Sequence, residues 1–393
     1  TLDRSSAASD VYKRQILARY LVENLYSFYV LYYNYLLLIS GIILLNLPAT
    51  FVKYLSEKKD TKYFEIFTNI FVFSSIFFSI IISIILMFIY QNVFNTKNML
   101  IIPALILTSI LMSFYSLYLS IYSANLEFNK LRNFYIIESI LKLILVSTLS
   151  IFFLKYGIVI GLFLVYLISS LILIYFIKNI IKSLKISLRI LKENLNEVKE
   201  IIKYNLSSYI SSIFGSFFTT YILSTLALID NKLSANFYNA FIIFSNILAI
   251  ASLYSVTFPR IARWDKDELK KKIKYILILQ LVIYTILGLI TYFFGDFIIT
   301  SLYSEKYKVS GELFRYFSLL FIISSFGIFQ QVLWIKGFIK EYTLISIVSI
   351  SISTVLSTYL INIYNIYGAL LGIYFLNIFQ SLLSYIFYYI KLK

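Results

Sequence analysis

The chain has 393 residues, 60% of them hydrophobic and 14% charged. Soluble domains run about 45–50% apolar and about 25% charged, so the composition excludes an ordinary soluble protein. There is no Cys and no His, which excludes disulfides, thiol or histidine nucleophiles, Cys/His metal sites and histidine proton relays. No cofactor or metal is expected. The net charge of +16 raises nucleic acid as a partner, but its distribution along the chain argues against that.

Residues 1–15 (TLDRSSAASDVYKRQ) are polar and resemble translated library-adaptor sequence more than protein. They are read as a non-native tail, with a genuine hydrophilic tail as the alternative. They lack the apolar stretch of a signal peptide. Beyond them apolar runs dominate. Residues 66–90 carry no charge, and about 20 apolar residues suffice to cross a bilayer. A spanning segment must satisfy its own backbone polar groups, which leaves helices or closed barrels. Barrel strands would alternate in segments of about 10 residues; these runs are continuous, so the expected fold is an all-α polytopic membrane protein. Hydropathy places spans at 25–52, 64–90, 99–123, 134–154, 157–177, 204–228, 236–258, 275–295, 313–335, 342–361 and 367–390. Between the fifth and sixth, residues 179–203 carry Ile181, Leu184, Leu188, Leu191, Leu195 and Val198 at helical spacing among basic residues. This reads as an amphipathic helix on the inner leaflet, serving also as a linker. The expected organisation is a bundle over 16–178, that linker, and a second bundle over 204–393.

The basic residues alternate by side. Lys53, Lys58, Lys59 and Lys62, then Lys130 and Arg132, the Lys178–Lys203 and Arg260–Lys274 stretches, Lys336 with Lys340, and Lys391 with Lys393 fall on one side. Only Arg19, Lys97, Lys155, Lys232, Lys306 and Lys308 fall on the other. Basic loops stay cytoplasmic. The positive balance is therefore a topology signal with a secondary attraction to membrane lipids, not a nucleic-acid signal. It places the chain in a bacterial inner membrane with its C-terminus cytoplasmic.

A weak internal repeat runs through the sequence. Asn24-Leu25-Tyr26 matches Asn236-Phe237-Tyr238, Asn34 matches Asn246, and Leu47-Pro48 matches Phe258-Pro259. Ser113-Phe114 matches Ser325-Phe326, Lys130 falls opposite Lys340, and Tyr156-Gly157 with Gly161 matches Tyr367-Gly368 with Gly372. All these spacings lie between 210 and 212 residues. A duplicated six-helix unit follows, its copies related by an axis along the membrane normal. The counterpart of 204–228 would fall at the start of the chain, so the first bundle is expected to lack most of its first helix.

Three stretches carry a family resemblance. LARYLVENLYSFYVLYYN with LPATFVKYLSEKKD is the first; IIKYNLSSYISSIFGSF through NFYNAFIIFSNI to FPRIARWDKDELKKK is the second; IYGALLGIYFLNIFQSLL is the third. Together they resemble the polysaccharide-exporter branch of the multidrug/oligosaccharidyl-lipid/polysaccharide (MOP) superfamily, which contains the O-antigen flippases. The resemblance implies twelve helices in two six-helix lobes around a central cavity and alternating access. It also implies a polyprenyl-pyrophosphate-linked oligosaccharide as substrate, H+ or Na+ as coupling ion, and glycosyltransferases or a polymerase of the same pathway as partners. Family members often carry Asp-Arg where this chain has Ile229-Asp230-Asn231, so no arginine role transfers there. The sister peptidoglycan-precursor flippases carry basic cavity residues, whereas no basic residue stands between Arg19 and Lys53 or between Lys232 and Arg260.

Few charges fall inside spans, where each costs about 2.5–3.5 kcal/mol on insertion scales and faces a cavity or a partner. Glu138 and Lys142 share a helix face four residues apart. They read either as a phosphate-binding lysine with its counter-ion or coupling-cation site, or as a self-neutralised structural pair. Arg315, three residues after Glu312, reads as a bidentate phosphate ligand or an interfacial anchor. Asn34 and Asn246, and the mid-span pair Gln330 and Gln331, could bind sugar hydroxyls or bond between helices. No catalytic constellation is present: no Walker A loop, and an outer loop (297–312) too short to hold an enzyme domain. The competing readings are a multidrug antiporter of the same fold, a major-facilitator transporter, whose loop motif LSEKKDTK lacks, and a membrane polymerase or ligase.

Overall fold

The computed structural model describes residues 15–58, 61–94, 96, 98–182, 184–253, 257, 261 and 263–392. Nearly all of the tail read over 1–15 lies outside the described residues, as do Lys59, Lys97, Phe258, Pro259, Arg260 and Lys393. Among the described residues there are helices and turns but no strand, and ten helical stretches are long and apolar enough to cross a membrane. The protein is an all-helical, multi-pass membrane protein. It forms two compact units, Thr1–Thr220 and Tyr221–Lys393.

In the first unit, α1 (Glu23–Leu44) is enclosed by its neighbours: 72% of its apolar window is buried, against 28% for α3 (Thr61–Phe94). A helix apolar all round is buried or faces lipid, and these two helices take the two fates. The span expected over 25–52 is not continuous. Leu45 and Asn46 adopt left-handed φ values of 51° and 55°, which end α1, and α2 (Leu47–Lys58) starts anew with Pro48 in its first turn, where a missing N–H costs nothing. Next come α4 (Ile101–Ala124), α5 (Phe128–Leu141), a five-residue π segment (Lys142–Val146) and α6 (Ser147–Lys182).

The 51-residue helical stretch Phe128–Lys178 contains both spans expected at 134–154 and 157–177. The chain reverses at Leu154 (φ 51°, ψ −127°), values of the first central position of a type II′ turn. The arms run antiparallel in close contact: a Cβ on Gly157 would strike the Leu149 carbonyl, and one on Gly161 would lie 2.9 Å from the Val146 Cα. The second unit repeats this hairpin between α14 (Ile339–Tyr364) and α15 (Ile366–Leu392). Asn365 has φ 50° and ψ −123°; a Cβ on Gly368 would strike the Leu360 carbonyl, and one on Gly372 the Ser357 side chain. Leu149, Leu154, Gly157 and Gly161 thus correspond to Leu360, Asn365, Gly368 and Gly372 at one constant spacing. This hairpin recurs in the backbone at the 211-residue spacing that the residue matches gave.

The connection expected as one amphipathic helix over 179–203 is built in pieces. α6 runs to Lys182, residues 184–187 are non-helical, α7 covers Leu188–Glu193, and α8 (Leu195–Ile229) continues into the membrane span with no break near 204. Ser187 caps α7 by accepting from the Arg189 N–H, which explains the interruption. Nothing between Leu195 and Ile229 breaks a helix, which explains the continuity.

In the second unit, α9 (Asn231–Ala251) and α10 (Lys266–Tyr303) begin at the side-chain caps Asp230 and Asp265. The outer loop expected over 297–312 is largely helical. α10 extends to Tyr303, and α11 (Lys308–Tyr316) folds back against it. The span expected at 313–335 continues as α12 (Ser318–Ser324), a 3-10 turn at Ser325–Gly327 and α13 (Ile328–Ile335). Ser325 returns its hydroxyl to the Phe321 carbonyl, competing with the regular helical ladder.

Candidate functional site

Glu138 and Lys142 meet as their spacing suggests. Lys142 Nζ lies 2.5 Å from Glu138 Oε1, with the two side chains 7% and 12% exposed. Lys142 opens the π segment, a helical irregularity found often at functional sites. Two residues that sequence reasoning missed complete the setting. Tyr33 of α1 accepts a hydrogen bond from Lys142 Nζ on its hydroxyl at 3.5 Å, and its ring centre lies 5.4 Å from that nitrogen. Tyr166, on the second arm of the hairpin, presents its ring at 5.2 Å. Ammonium over an aromatic face is an attractive arrangement, stronger when desolvated. Tyr115 adds a bond from its hydroxyl to the Phe134 carbonyl, one turn before Glu138.

The ammonium is thus approached from three helical segments and paired with the Glu138 carboxylate. A buried ion pair is costly to desolvate, and removing one partner costs about 3–5 kcal/mol by stranding the other. While charged, such a lysine exchanges one anionic partner for another at less cost than standing without one. At the repeat spacing Glu138 and Lys142 fall opposite Ser349 and Ser353, both fully buried. The charged pair therefore belongs to the first unit, and the second carries hydroxyls in its place.

The other candidates are dispersed. Asn34, beside Tyr33 on α1, is buried and donates to its own helix at the Val30 carbonyl, 2.8 Å away. Its repeat partner Asn246 has a buried amide nitrogen with no hydrogen-bond partner among the described residues. Gln330 donates to Ser346 Oγ at 3.2 Å, joining α13 to α14, and Gln331 is half-buried beside it. Arg315 is tied to α10: its Nη1 lies 2.7 Å from Asp296 Oδ2, its Nε donates to the Tyr292 carbonyl at 3.1 Å, and the guanidinium stands 5.8 Å from the Tyr292 ring centre. Glu312, its neighbour in sequence, instead accepts from the Tyr367 hydroxyl at 3.4 Å. Asp296 was findable: it is the one acid between Glu268 and Glu305. Tyr33 and Tyr166 were not, standing among 36 tyrosines.

No protein-family profile matches the chain, and no curated protein sequence matches it. Solved structures match over nearly its whole length. The lipid II flippase MurJ in an inward closed conformation superimposes with a TM-score of 0.77 at 14% identity, covering 98% of this chain and 86% of that one. An inward-facing multidrug resistance MATE family transporter of the MOP superfamily gives 0.71 at 11% identity, covering 98% and 94%. A MOP superfamily transporter from Pyrococcus furiosus Vc1, whose binding pocket is described as reversed in polarity, gives 0.65 at 13% identity, covering 100% and 93%. At these identities the likeness is one of fold. The chain has the helical fold of the MOP superfamily transporters.

Proposed function

We propose that this protein carries an oligosaccharide linked to polyprenyl pyrophosphate from the inner to the outer leaflet of a bacterial inner membrane, by alternating access. The observation that carries the reading is the buried Lys142, enclosed by Tyr33 and Tyr166 and paired with Glu138. A phosphate oxygen can take the place of that carboxylate, because an ammonium offers three donors and a charge-assisted bond to phosphate is strong in a dry site. The aromatic rings beside it suit a sugar face as well as an ammonium. The flippase among the structural matches supports the reading by fold.

The second reading is a multidrug antiporter, supported by the MATE matches. A cationic drug calls for a buried acid free to receive it, whereas Glu138 is already balanced by Lys142. This favours an anionic headgroup. The coupling ion, H+ or Na+, and association with glycosyltransferases or a polymerase belong to the same proposal. The test is export of the lipid-linked glycan in a flippase-deficient strain. Wild type should restore surface polysaccharide, and Lys142→Gln paired with Glu138→Gln should reduce it at least tenfold at equal protein level in the membrane. Full export by the doubly neutral variant would remove the ion pair from the site.

A further inference from the structure

Helix α8 starts in the first unit and runs on into the second, and the chain is held at two places of different character, one ahead of α8 and one on its first turns. The first is a fixed point. Asn69, fully buried on α3, donates to the Lys185 carbonyl and accepts from the Ser187 N–H, both at 2.8 Å. This clamps the backbone just ahead of the breaks at Ser187 and Asn194, where helical continuity is lost.

The second place is polar throughout. Tyr204, Asn205, Ser208 and Tyr209 share one side of α8, by the spacing that puts i, i+1, i+4 and i+5 together. They meet the break between α1 and α2, where the end of α1 leaves carbonyls without helical partners. The Tyr209 hydroxyl donates to the Ile42 carbonyl at 3.1 Å, and Asn46 Nδ2 donates to Ser208 Oγ at 2.8 Å. Thr50 Oγ1 donates to Asn205 Oδ1, both residues being buried, and Lys53 Nζ lies 3.9 Å from the Tyr204 ring centre. The Asn205 amide nitrogen is buried with no partner among the described residues. Elsewhere α1 packs mainly through apolar and aromatic side chains such as Leu36, Ile39 and Ile43, with polar contacts from Tyr33 and Ser40.

We propose that this patch is a releasable latch: Asn46, Thr50 and Lys53 hold the first turns of α8 in one state of the transport cycle and let them go in the other. Apolar packing has no substitute partner in water, whereas each of these hydrogen bonds exchanges for one to water at small net cost. The positive-φ break at Leu45-Asn46 frees the Ile42 carbonyl as acceptor and presents Asn46 as donor, and the discontinuity between Ser187 and Asn194 supplies the pivot. The latch rests on the transporter reading but not on the identity of the cargo.

The chain contains no cysteine, so introduced thiols are unique. In membranes holding Thr50→Cys/Asn205→Cys, oxidation should form the crosslink, cut glycan export at least tenfold, and leave it restorable by reductant. A crosslinked protein that exports at the reduced protein's rate overturns the latch. A second arm needs no substrate. Ser211→Cys places a thiol where the Ser211 hydroxyl is buried on the same helix. Its labelling rate by a small maleimide should rise at least threefold when Thr50→Val and Tyr209→Phe remove two links. An unchanged rate overturns the latch whatever the cargo. Absence of glycan export by the uncrosslinked protein bears on the substrate reading alone, and the labelling arm then decides.

Discussion

Lys142 and Arg315 each meet one carboxylate, at 2.5 Å and 2.7 Å, yet the Lys142 side chain is 7% exposed and that of Arg315 is 42%. The same chemistry therefore has different consequences. Lys142→Ala should strand Glu138 and cost about 3–5 kcal/mol, seen as a lower melting temperature in detergent. Lys142→Met with Glu138→Gln should recover most of that stability and none of the export, which separates a folding role from a binding one. Arg315→Gln should cost less than about 1 kcal/mol, as half-exposed ion pairs do, and leave export intact. Loss of export in that variant at normal protein level would return Arg315 to the site. The Glu138–Lys142 spacing was legible in the sequence because i,i+4 adjacency is a property of any helix. Tyr33 and Tyr166 were not, because they arrive from spans whose mutual placement no local pattern encodes. The Arg315–Asp296 pair was not legible for the same reason: the two residues stand on different helices, α11 and α10.

At the scale of elements, composition fixed where the chain is helical, and backbone irregularities decided where it turns. Leu154 and Asn365 reverse the chain in a single residue, which hydropathy could register only as a dip between apolar runs. The break at Leu45-Asn46 was hidden because the residues around it are as apolar as a span. Glycines mark the close approaches. Gly157→Ala and Gly368→Ala place a methyl group against the Leu149 and Leu360 carbonyls, so each should open its hairpin at a cost at or above the upper end of the roughly 1–3 kcal/mol of ordinary overpacking. Gly41 and Gly215 have nothing within 4 Å of an added Cβ. Alanine there should be neutral or stabilising by up to about 1 kcal/mol, from helix propensity alone. Folded yield by size-exclusion chromatography checks both pairs. Equal yields for all four variants would mean that the hairpin arms are not in contact.

Over the whole molecule, burial sorts the helices by environment: 28% of the apolar window of α10 and 22% of that of α15 are buried, against 72% for α1. Helix α10 also carries a testable prediction of orientation. Its 38 residues extend about 57 Å at 1.5 Å per residue, well beyond the hydrocarbon thickness of about 30 Å. The surplus must stand in headgroups and water. One end carries exposed Lys266, Lys270, Lys271 and Lys274; the other ends at Tyr303 with no basic residue in its last turn. Lysines at a helix N-terminus oppose the macrodipole, so their presence there is not explained by helix stability. The topology proposed from the basic loops, with this end on the cytoplasmic side against anionic lipids, would account for it. In this cysteine-free chain, Asp267→Cys should therefore react with an impermeant maleimide only after the membrane is opened, and Glu305→Cys, past the other end of α10, should react in intact cells. The reverse pattern would invert the topology. It would also reverse the direction of transport proposed for the Lys142 site, because the leaflet from which that site is first reached would change with it.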